Sequence, residues 1–424
     1  MDDMTDARKH SYRPQISDIQ RAKQRIADVV AQTPLDKNIA LSERYGAEIL
    51  LKREDMQRVR SYKIRGAFNK IASLSRAELD RGVVCASAGN HAQGVAFASC
   101  SLRTHATVFM PKPTPKQKIS QVRMFGREFV DIVLTGDTYD DSCEEAMEFC
   151  DSRNACFIHP FDDPLIIEGQ GTLGLDILND AKSPIDYLLL PIGGGGLASG
   201  VSSVFRAISP ETKIIGVEAA GAPCMQKSFE AGHRVTLDEI DTFADGIAVR
   251  TPGEITFGIC LECLDRIVVV PEGKICTTIL ELYNESAIVV EPAGAASIAA
   301  LSVIREEIAG RTVVCVVSGS NNDITRMEEI KERSMLYEGL KHYFIVRFPQ
   351  RAGALREFLE YVLGPNDDIT LFQYAKKNAR EKGPAVVGLE VRSPEDLAPL
   401  LQRMNDQHIV YEYLNDKPDL LRLI

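Results

Sequence analysis

Eight short runs of β-branched and aliphatic residues, separated by longer amphipathic stretches, constrain this chain more than any other feature. They are EILLKRE, GVVCAS, HATVFMP, FVDIVLT, YLLLPI, KIIGVEA, RIVVVP and TVVCVVSGS, spread over residues 16–335. A strand that reads as a near-continuous apolar run has to be covered on both faces, and the intervening stretches supply the covering helices. The expected fold is therefore α/β, a parallel sheet wrapped by helices. Folds of this kind place ligands in the loops at the carboxyl ends of their strands. After residue 335 the rhythm changes. HYFIVRF, a helix from near Ala352, ITLFQYAKK, AVVGLEV, a helix over EDLAPLLQRM and a last strand near HIVYEYL give the β-α-β-β-α-β order of a ferredoxin-like α+β domain. Two domains are expected, 1–335 and 336–424, with RMEEIKERSMLYEG as a helical connector.

Composition excludes several classes of function. A formal net charge of −11 provides no broad positive field to gather phosphates, so nucleic acid is not an expected partner. The first residues, MDDMTDARKHSYRPQ, lack the apolar centre of a leader, and no run approaches the roughly 20 apolar residues that span a bilayer. A soluble, cytoplasmic protein without a membrane partner is expected. The ten cysteines are scattered through apolar segments, as suits free thiols in a reducing compartment. Cys260 and Cys263 have C-x-x-C spacing, but no second pair or nearby histidine completes a tetrahedral set, and no metal is expected there.

Four loops carry the chemistry. In Ser61-Tyr62-Lys63-Ile64-Arg65-Gly66-Ala67, Ser61 is positioned to cap a helix running through FNKIASLS. Lys63 then falls in the first turn, where the helix dipole and burial both oppose its ammonium form, and a nucleophilic or Schiff-base lysine needs that state. Taken alone, a lysine is more often a solvated surface residue. Ser87-Ala88-Gly89-Asn90-His91-Ala92-Gln93-Gly94 leads from a strand into a helix and offers N–H groups, a hydroxyl and an amide to a carboxylate or phenolate. His91 by itself reads better as a structural hydrogen-bonding residue than as a general base. Gly193-Gly194-Gly195-Gly196 lets successive N–H groups converge on one anion ahead of a helix near Leu197, which makes a phosphate cup. The same segment fits G-x-G-x-x-A through Ala198, with Glu218 where a ribose-binding acid would lie, so on its own it supports a nicotinamide enzyme almost equally well. Ser318-Gly319-Ser320-Asn321-Asn322 follows the very apolar strand TVVCVV. Its first hydroxyl can serve a heterocyclic nitrogen or cap the helix over DITRMEEIKE.

In this order and at these separations, SYKIRGA, SAGNHAQG, GGGGL and SGSNND resemble the fold-type II pyridoxal-phosphate enzymes, specifically the serine/threonine dehydratases, over residues 16–335. The resemblance implies two parallel-sheet subdomains with pyridoxal 5'-phosphate between them, the smaller at roughly 70–165. It implies that Lys63 forms the Schiff base with the cofactor and that Asn90 contacts its ring oxygen. Gly193, Gly194, Gly195, Gly196 and Leu197 would bind the phosphate, and Ser318 would face the pyridine nitrogen. Ser87, Gly89, Asn90 and His91 would receive the substrate carboxylate. A neutral serine at the ring nitrogen favours prompt loss of a β-leaving group over a long-lived carbanion. Some relatives bind a divalent ion through a glutamate matching Glu218 and a carboxylate six positions later. Here that position is Cys224, and no metal is predicted.

Residues 336–424 are similar to the ACT-like regulatory module of biosynthetic threonine dehydratases, through HYFIVRFPQRAGALREFLEYVL and GPAVVGLEV. The turn Arg351-Ala352-Gly353-Ala354-Leu355 would open the module's first helix with free N–H groups. The implied substrate is L-threonine, or L-serine, with isoleucine as effector and a homo-oligomer, a tetramer or dimer, as the assembly. The expected activity is dehydration of threonine to 2-oxobutanoate and ammonia at the start of isoleucine synthesis. Serine dehydratase or racemase activity on the same scaffold is the alternative, and a nicotinamide-dependent dehydrogenase the remote one.

Overall fold

The computed structural model describes residues 12–374 and 382–421. Residues 1–11, which hold most of the stretch read above for a leader, and 375–377 at the end of ITLFQYAKK lie outside the described residues. Up to Ile324 the strands in chain order are β1 (Leu35–Lys37), β2 (Glu48–Arg53), β3 (Val83–Ala86), β4 (Ala106–Met110), β5 (Val130–Leu134), β6 (Cys156–Phe157), β7 (Tyr187–Pro191), β8 (Lys213–Ala219), β9 (Arg266–Val270) and β10 (Thr312–Val317). All eight apolar runs are strands. The two that sequence reading missed, β1 and β6, are three and two residues long, too short to carry a period.

These strands form two sheets. The larger has the order β1-β2-β10-β7-β8-β9, and the smaller β5-β4-β3-β6. Every pairing is parallel except that of the edge strand β1 with β2. In β10, Val313 to Val317 are fully buried between β2 and β7, which is why this segment reads as an unbroken apolar run. Each sheet has its own core. Val83, Val108, Met110 and Val95 belong to the smaller, and Leu188, Leu190, Val201 and Val314 to the larger.

A second unit comprises residues 325–424. Its strands β11 (Lys341–Pro349), β12 (Asp368–Tyr374), β13 (Lys382–Glu390) and β14 (Val410–Tyr413) form an antiparallel sheet of order β12-β13-β11-β14. Phe344, Val387, Phe358 and Leu400 fill its core beneath helices Ala354–Tyr361 and Leu397–Asp406. The first of these helices begins after Gly353, whose φ of 87° places the N-cap in the left-handed region. The connector is helical over Met327–Tyr337 and belongs to this unit: Ile330 is buried, and Glu332 accepts from the Tyr343 hydroxyl and pairs with Lys341.

Within the first unit, the helix Lys63–Ala72 is held by a buried charge network. Arg65 is 1% exposed; its guanidinium donates to both Glu54 carboxylate oxygens at 2.8 and 2.9 Å, to Asp176 at 2.7 Å and to Thr172 at 3.1 Å. Asp176 and Thr172 lie on helix Pro164–Asp180, whose Gly169 admits no side chain because a Cβ there would lie 2.6 Å from Gly66 Cα. The two helices therefore meet backbone to backbone, and the ion pairs fix their rotation. Removing one partner from such a network leaves the other buried and uncompensated. Arg65→Met is expected to destabilise the first unit by about 3–5 kcal/mol, read as a lowered urea midpoint; an unchanged midpoint would contradict this role.

Candidate active site

The loops at the carboxyl ends of β2 and β10 are stitched together by their backbones. Ser61 forms a β-bridge with Gly319, the Tyr62 N–H donates to the Ser318 carbonyl at 3.1 Å, and the Ser320 N–H donates to the Arg60 carbonyl at 2.9 Å. Ser61 is thereby drawn into pairing and does not cap the helix. The cap position is Tyr62, which makes no side-chain cap bond, and the buried Ser61 hydroxyl has no hydrogen-bond partner among the described residues. Lys63 is the first helical residue, as expected. Its Nζ donates to the Pro160 carbonyl at 2.8 Å and lies 5.4 Å from the Tyr62 ring centre. Burial lowers its pKa to about 8, against the pull of Glu291, whose carboxylate favours the ammonium.

The second loop enters helix Asn90–Leu102, whose cap is Gly89. The first helical bond runs from the Gln93 N–H to the Gly89 carbonyl, so the N–H groups of Asn90, His91 and Ala92 precede it and point out of the helix end. The Ser87 hydroxyl accepts from the Gly89 N–H at 3.2 Å. Gly94 faces Lys63: a Cβ there would lie 3.2 Å from the Lys63 carbonyl, so the glycine lets this helix approach the lysine's backbone. The His91 ring turns inward, with Nε2 2.8 Å from the Ile158 carbonyl, and burial lowers its pKa to about 3. That bond turns Nε2 away from the loop, while the backbone N–H of His91 is among the donors at the helix end.

The third loop is a cradle. Gly195 has φ 96° and caps helix Gly196–Ile208, with the first helical bond from the Ser199 N–H back to its carbonyl. No side chain fits here. A Cβ would come within 2.9 Å of Ile247 at Gly193, 2.4 Å of the Phe161 ring at Gly194, 2.8 Å of Thr256 at Gly195 and 2.9 Å of Phe161 at Gly196. The N–H groups of Gly196, Leu197 and Ala198 precede the first helical bond.

Sequence reading missed Glu291. It is 4% exposed; its Oε1 accepts from Asn90 Nδ2 at 2.6 Å, and a Cβ on Gly319 would meet it at 2.3 Å. Burial, with a smaller contribution from Asp245, raises its pKa to about 7. Asn321 Nδ2 in turn donates to Asn90 Oδ1. With one amide hydrogen on Glu291 and its oxygen on Asn321, Asn90 is fixed in orientation and keeps one hydrogen to donate. A second omission is the segment following β6, Ile158 to Asp163, which touches His91, Lys63 and the glycine cradle in succession. Neither carries a local motif; Glu291 lies in an apolar stretch whose only polar residue it is until Ser297.

Glu218 faces the interior instead of a ligand. It is fully buried, and its carboxylate accepts from the Met225 and Gln226 N–H groups at 2.8 Å each, capping helix Cys224–Ala231. An acid so committed does not serve a ribose. Cys260 and Cys263 are buried on helix Glu254–Cys263, and among the described residues no group of three or more His, Cys, Asp or Glu could hold a metal ion. No described helix is long and apolar enough to cross a membrane.

Comparison with known proteins gives two family matches, to the pyridoxal-phosphate dependent enzymes over residues 26–319 and to the C-terminal regulatory domain of threonine dehydratase over 332–424. The biosynthetic L-threonine dehydratases of Bacillus subtilis and Halalkalibacterium halodurans are each 56% identical over 410 residues, covering 97% of this chain and 97% and 99% of theirs. This chain belongs to the biosynthetic threonine dehydratase family. Among solved structures, the processed threonine deaminase isoform 2 of Solanum lycopersicum matches with a TM-score of 0.71 at 41% identity, over 77% of this chain and 96% of that one. Maize serine racemase matches with a TM-score of 0.70 at 30% identity, over 77% and 99%. The fold is that of the fold-type II enzymes, with an antiparallel regulatory module, and the cofactor of a dehydratase of this family is pyridoxal phosphate.

The geometry fits that cofactor. A cradle too tight for any side chain presents only backbone to a phosphate, and through Phe161 and Pro160 it adjoins a buried amine of lowered pKa that can link to an aldehyde. Apoenzyme capture of pyridoxal phosphate requires the neutral amine. Because burial lowers the Lys63 pKa, the capture rate is expected to rise with pH through about 8 and then level off, where an ordinary lysine would keep rising toward 10.5. Stopped-flow absorbance at a series of pH values measures this; a rate still climbing steeply above pH 9 would contradict it.

Proposed function

We propose that this chain converts L-threonine to 2-oxobutanoate and ammonia, with Lys63 as both anchor of the cofactor and proton acceptor. The observation that carries this reading is the buried, easily neutralised Lys63 amine between the Asn90 loop and the glycine cradle. When bound, pyridoxal phosphate supplies the electron-withdrawing ring that acidifies the amino acid's Cα–H. The protein groups do the rest. Gly193 to Gly196 and Leu197 would hold the phosphate through N–H groups, Asn90 would donate its remaining amide hydrogen to the ring oxygen, and the Ser318 hydroxyl would serve the ring nitrogen. The N–H groups at the start of the Asn90 helix, with Ser87 and Gly89, receive the substrate carboxylate. Lys63 Nζ would take the Cα proton. The β-hydroxyl, together with the proton removed from Cα, would leave threonine as water, and hydrolysis would release ammonia and the oxo acid.

Lys63→Ala is expected to abolish the visible absorbance of the bound cofactor and to lower turnover by at least about a thousandfold, the scale on which loss of a base and covalent anchor acts. A retained band with normal turnover would end this reading. The likeness to maize serine racemase, over 77% of this chain, makes serine the second substrate to try. Product analysis on both amino acids separates the two, with 2-oxobutanoate from threonine as the expected major product.

The second unit, which matches the C-terminal regulatory domain of threonine dehydratase, supports feedback control; isoleucine is the effector and a homo-oligomer, a tetramer or dimer, the assembly that we propose with it, and the ten free cysteines suit a cytoplasmic setting. Titrating isoleucine against the initial rate at subsaturating threonine is expected to lower it at least severalfold, the usual range of an allosteric coupling. A flat titration would refute isoleucine control.

A further inference from the structure

Asp162 lies 92 to 94 residues before the helix it caps. Its Oδ2 accepts the Glu254 N–H at 2.8 Å, and its Oδ1 accepts those of Ile255 and Thr256 at 3.0 and 3.1 Å, so one carboxylate satisfies three donors at the start of helix Glu254–Cys263. The approach is close enough that residue 253 has no room for a side chain: a Cβ on Gly253 would lie 2.3 Å from Asp162 Oδ1. The backbone of Asp162 is itself fixed, because its N–H donates to His159 Nδ1 at 2.7 Å.

The capped helix turn carries Thr256, which is fully buried. Its hydroxyl donates to the Gly194 carbonyl at 2.6 Å, and the Gly253 N–H reaches the same oxygen at 3.3 Å. The Thr256 carbonyl accepts from the Ser199 hydroxyl on helix Gly196–Ile208 at 3.2 Å. A trans peptide points its C=O and N–H in opposite directions. Fixing the Gly194 carbonyl on Thr256 therefore fixes the next N–H, that of Gly195, on the side away from Thr256. Glycines at four successive positions leave the cradle free to rotate its peptides, and a glycine peptide flips readily unless something holds it. The hydroxyl of Thr256, at 2.6 Å the shorter of the two bonds to that carbonyl, is the principal hold, with the Gly253 N–H beside it.

We propose that Asp162 and Thr256 are positioning residues for the phosphate cup: Asp162 sets the first turn of the Glu254 helix, and Thr256 on that turn locks the Gly194–Gly195 peptide with its N–H toward the cofactor phosphate. The proposal rests on reading Gly193 to Gly196 as the phosphate site. Neither residue touches the cofactor in this account; both act through the orientation of one peptide. The coupling also explains why Asp162 sits next to Phe161, whose ring fills the space beside Gly194: the same two residues close the cradle from one side and pin the helix that orients it from the other.

The test measures dissociation constants of the full-length protein for pyridoxal phosphate and for pyridoxal, which lacks the phosphate, by absorbance after dialysis. Thr256→Val and Asp162→Asn are each expected to weaken pyridoxal phosphate binding about tenfold, the scale of one hydrogen bond to a buried acceptor, and to leave pyridoxal binding as in the unaltered protein. Thr256→Ser restores the hydroxyl and is expected to restore affinity. The double variant is expected to bind no more weakly than Thr256→Val alone, because the two residues act in series. Equal losses for both ligands would reveal general disruption and overturn the proposal, as would unaltered pyridoxal phosphate binding in both variants. Far-UV circular dichroism and the unfolding midpoint confirm that each variant is folded. If the unaltered protein binds pyridoxal as tightly as pyridoxal phosphate, the phosphate-cup reading itself fails, and this outcome is distinct from a cup whose preference the variants do not disturb.

Discussion

The hydrogen bond from Lys63 Nζ to the Pro160 carbonyl joins the helix that follows β2 of the larger sheet to the segment that follows β6 of the smaller. An amine in that position cannot be hydrated as it would be at the surface, so its neutral form gains relative to its charged form. Everything nearby is consistent with keeping it there. The Ser61–Gly319 bridge and the Tyr62 to Ser318 bond tie the start of its helix to the end of the central strand β10, the Arg65 network fixes the helix's rotation, and Gly94 admits a second helix against its backbone.

Holding polar groups in a dry interior demands partners for each of them. Glu291 and Glu218 show two outcomes of that demand. Both carboxyls are buried and both have raised pKa values of about 7, but Glu218 is committed to two backbone N–H groups at a helix start, whereas Glu291 faces Asn90 and lies within electrostatic reach of Lys63. The first stabilises a local turn. The second orients an amide that the cofactor would meet.

The regulatory unit is built on other principles. Its antiparallel sheet covers one core with two helices, and its aromatic residues pack against one another, as Phe348 does with Phe358 and Phe372 at 5.2 and 5.9 Å. Helix Met327–Tyr337, which the sequence gives as a helical connector between the two domains, belongs to this unit through Glu332, Lys341 and Tyr343. A few side-chain contacts that no periodicity announces decide which unit it joins.

The α/β and α+β halves, the eight main strands and the four loops were legible from sequence because each depends on local regularities: apolar period, strand-to-helix turns and runs of glycine. Lys63, Asn90, Gly193 to Gly196 and Ser318 could be named for the same reason, since each sits in a short motif. Ser61 misled, because a good capping residue was taken up by a bridge to Gly319, a partner more than two hundred residues away in the chain. Likewise Glu291, the inward turn of the His91 ring and the cap that Asp162 places on a helix at Glu254 exist only once distant segments meet. Sequence determines what each stretch can form by itself; burial and long-range hydrogen-bond pairing decide which polar groups face the ligand, because that choice belongs to the assembled interior and not to any one segment.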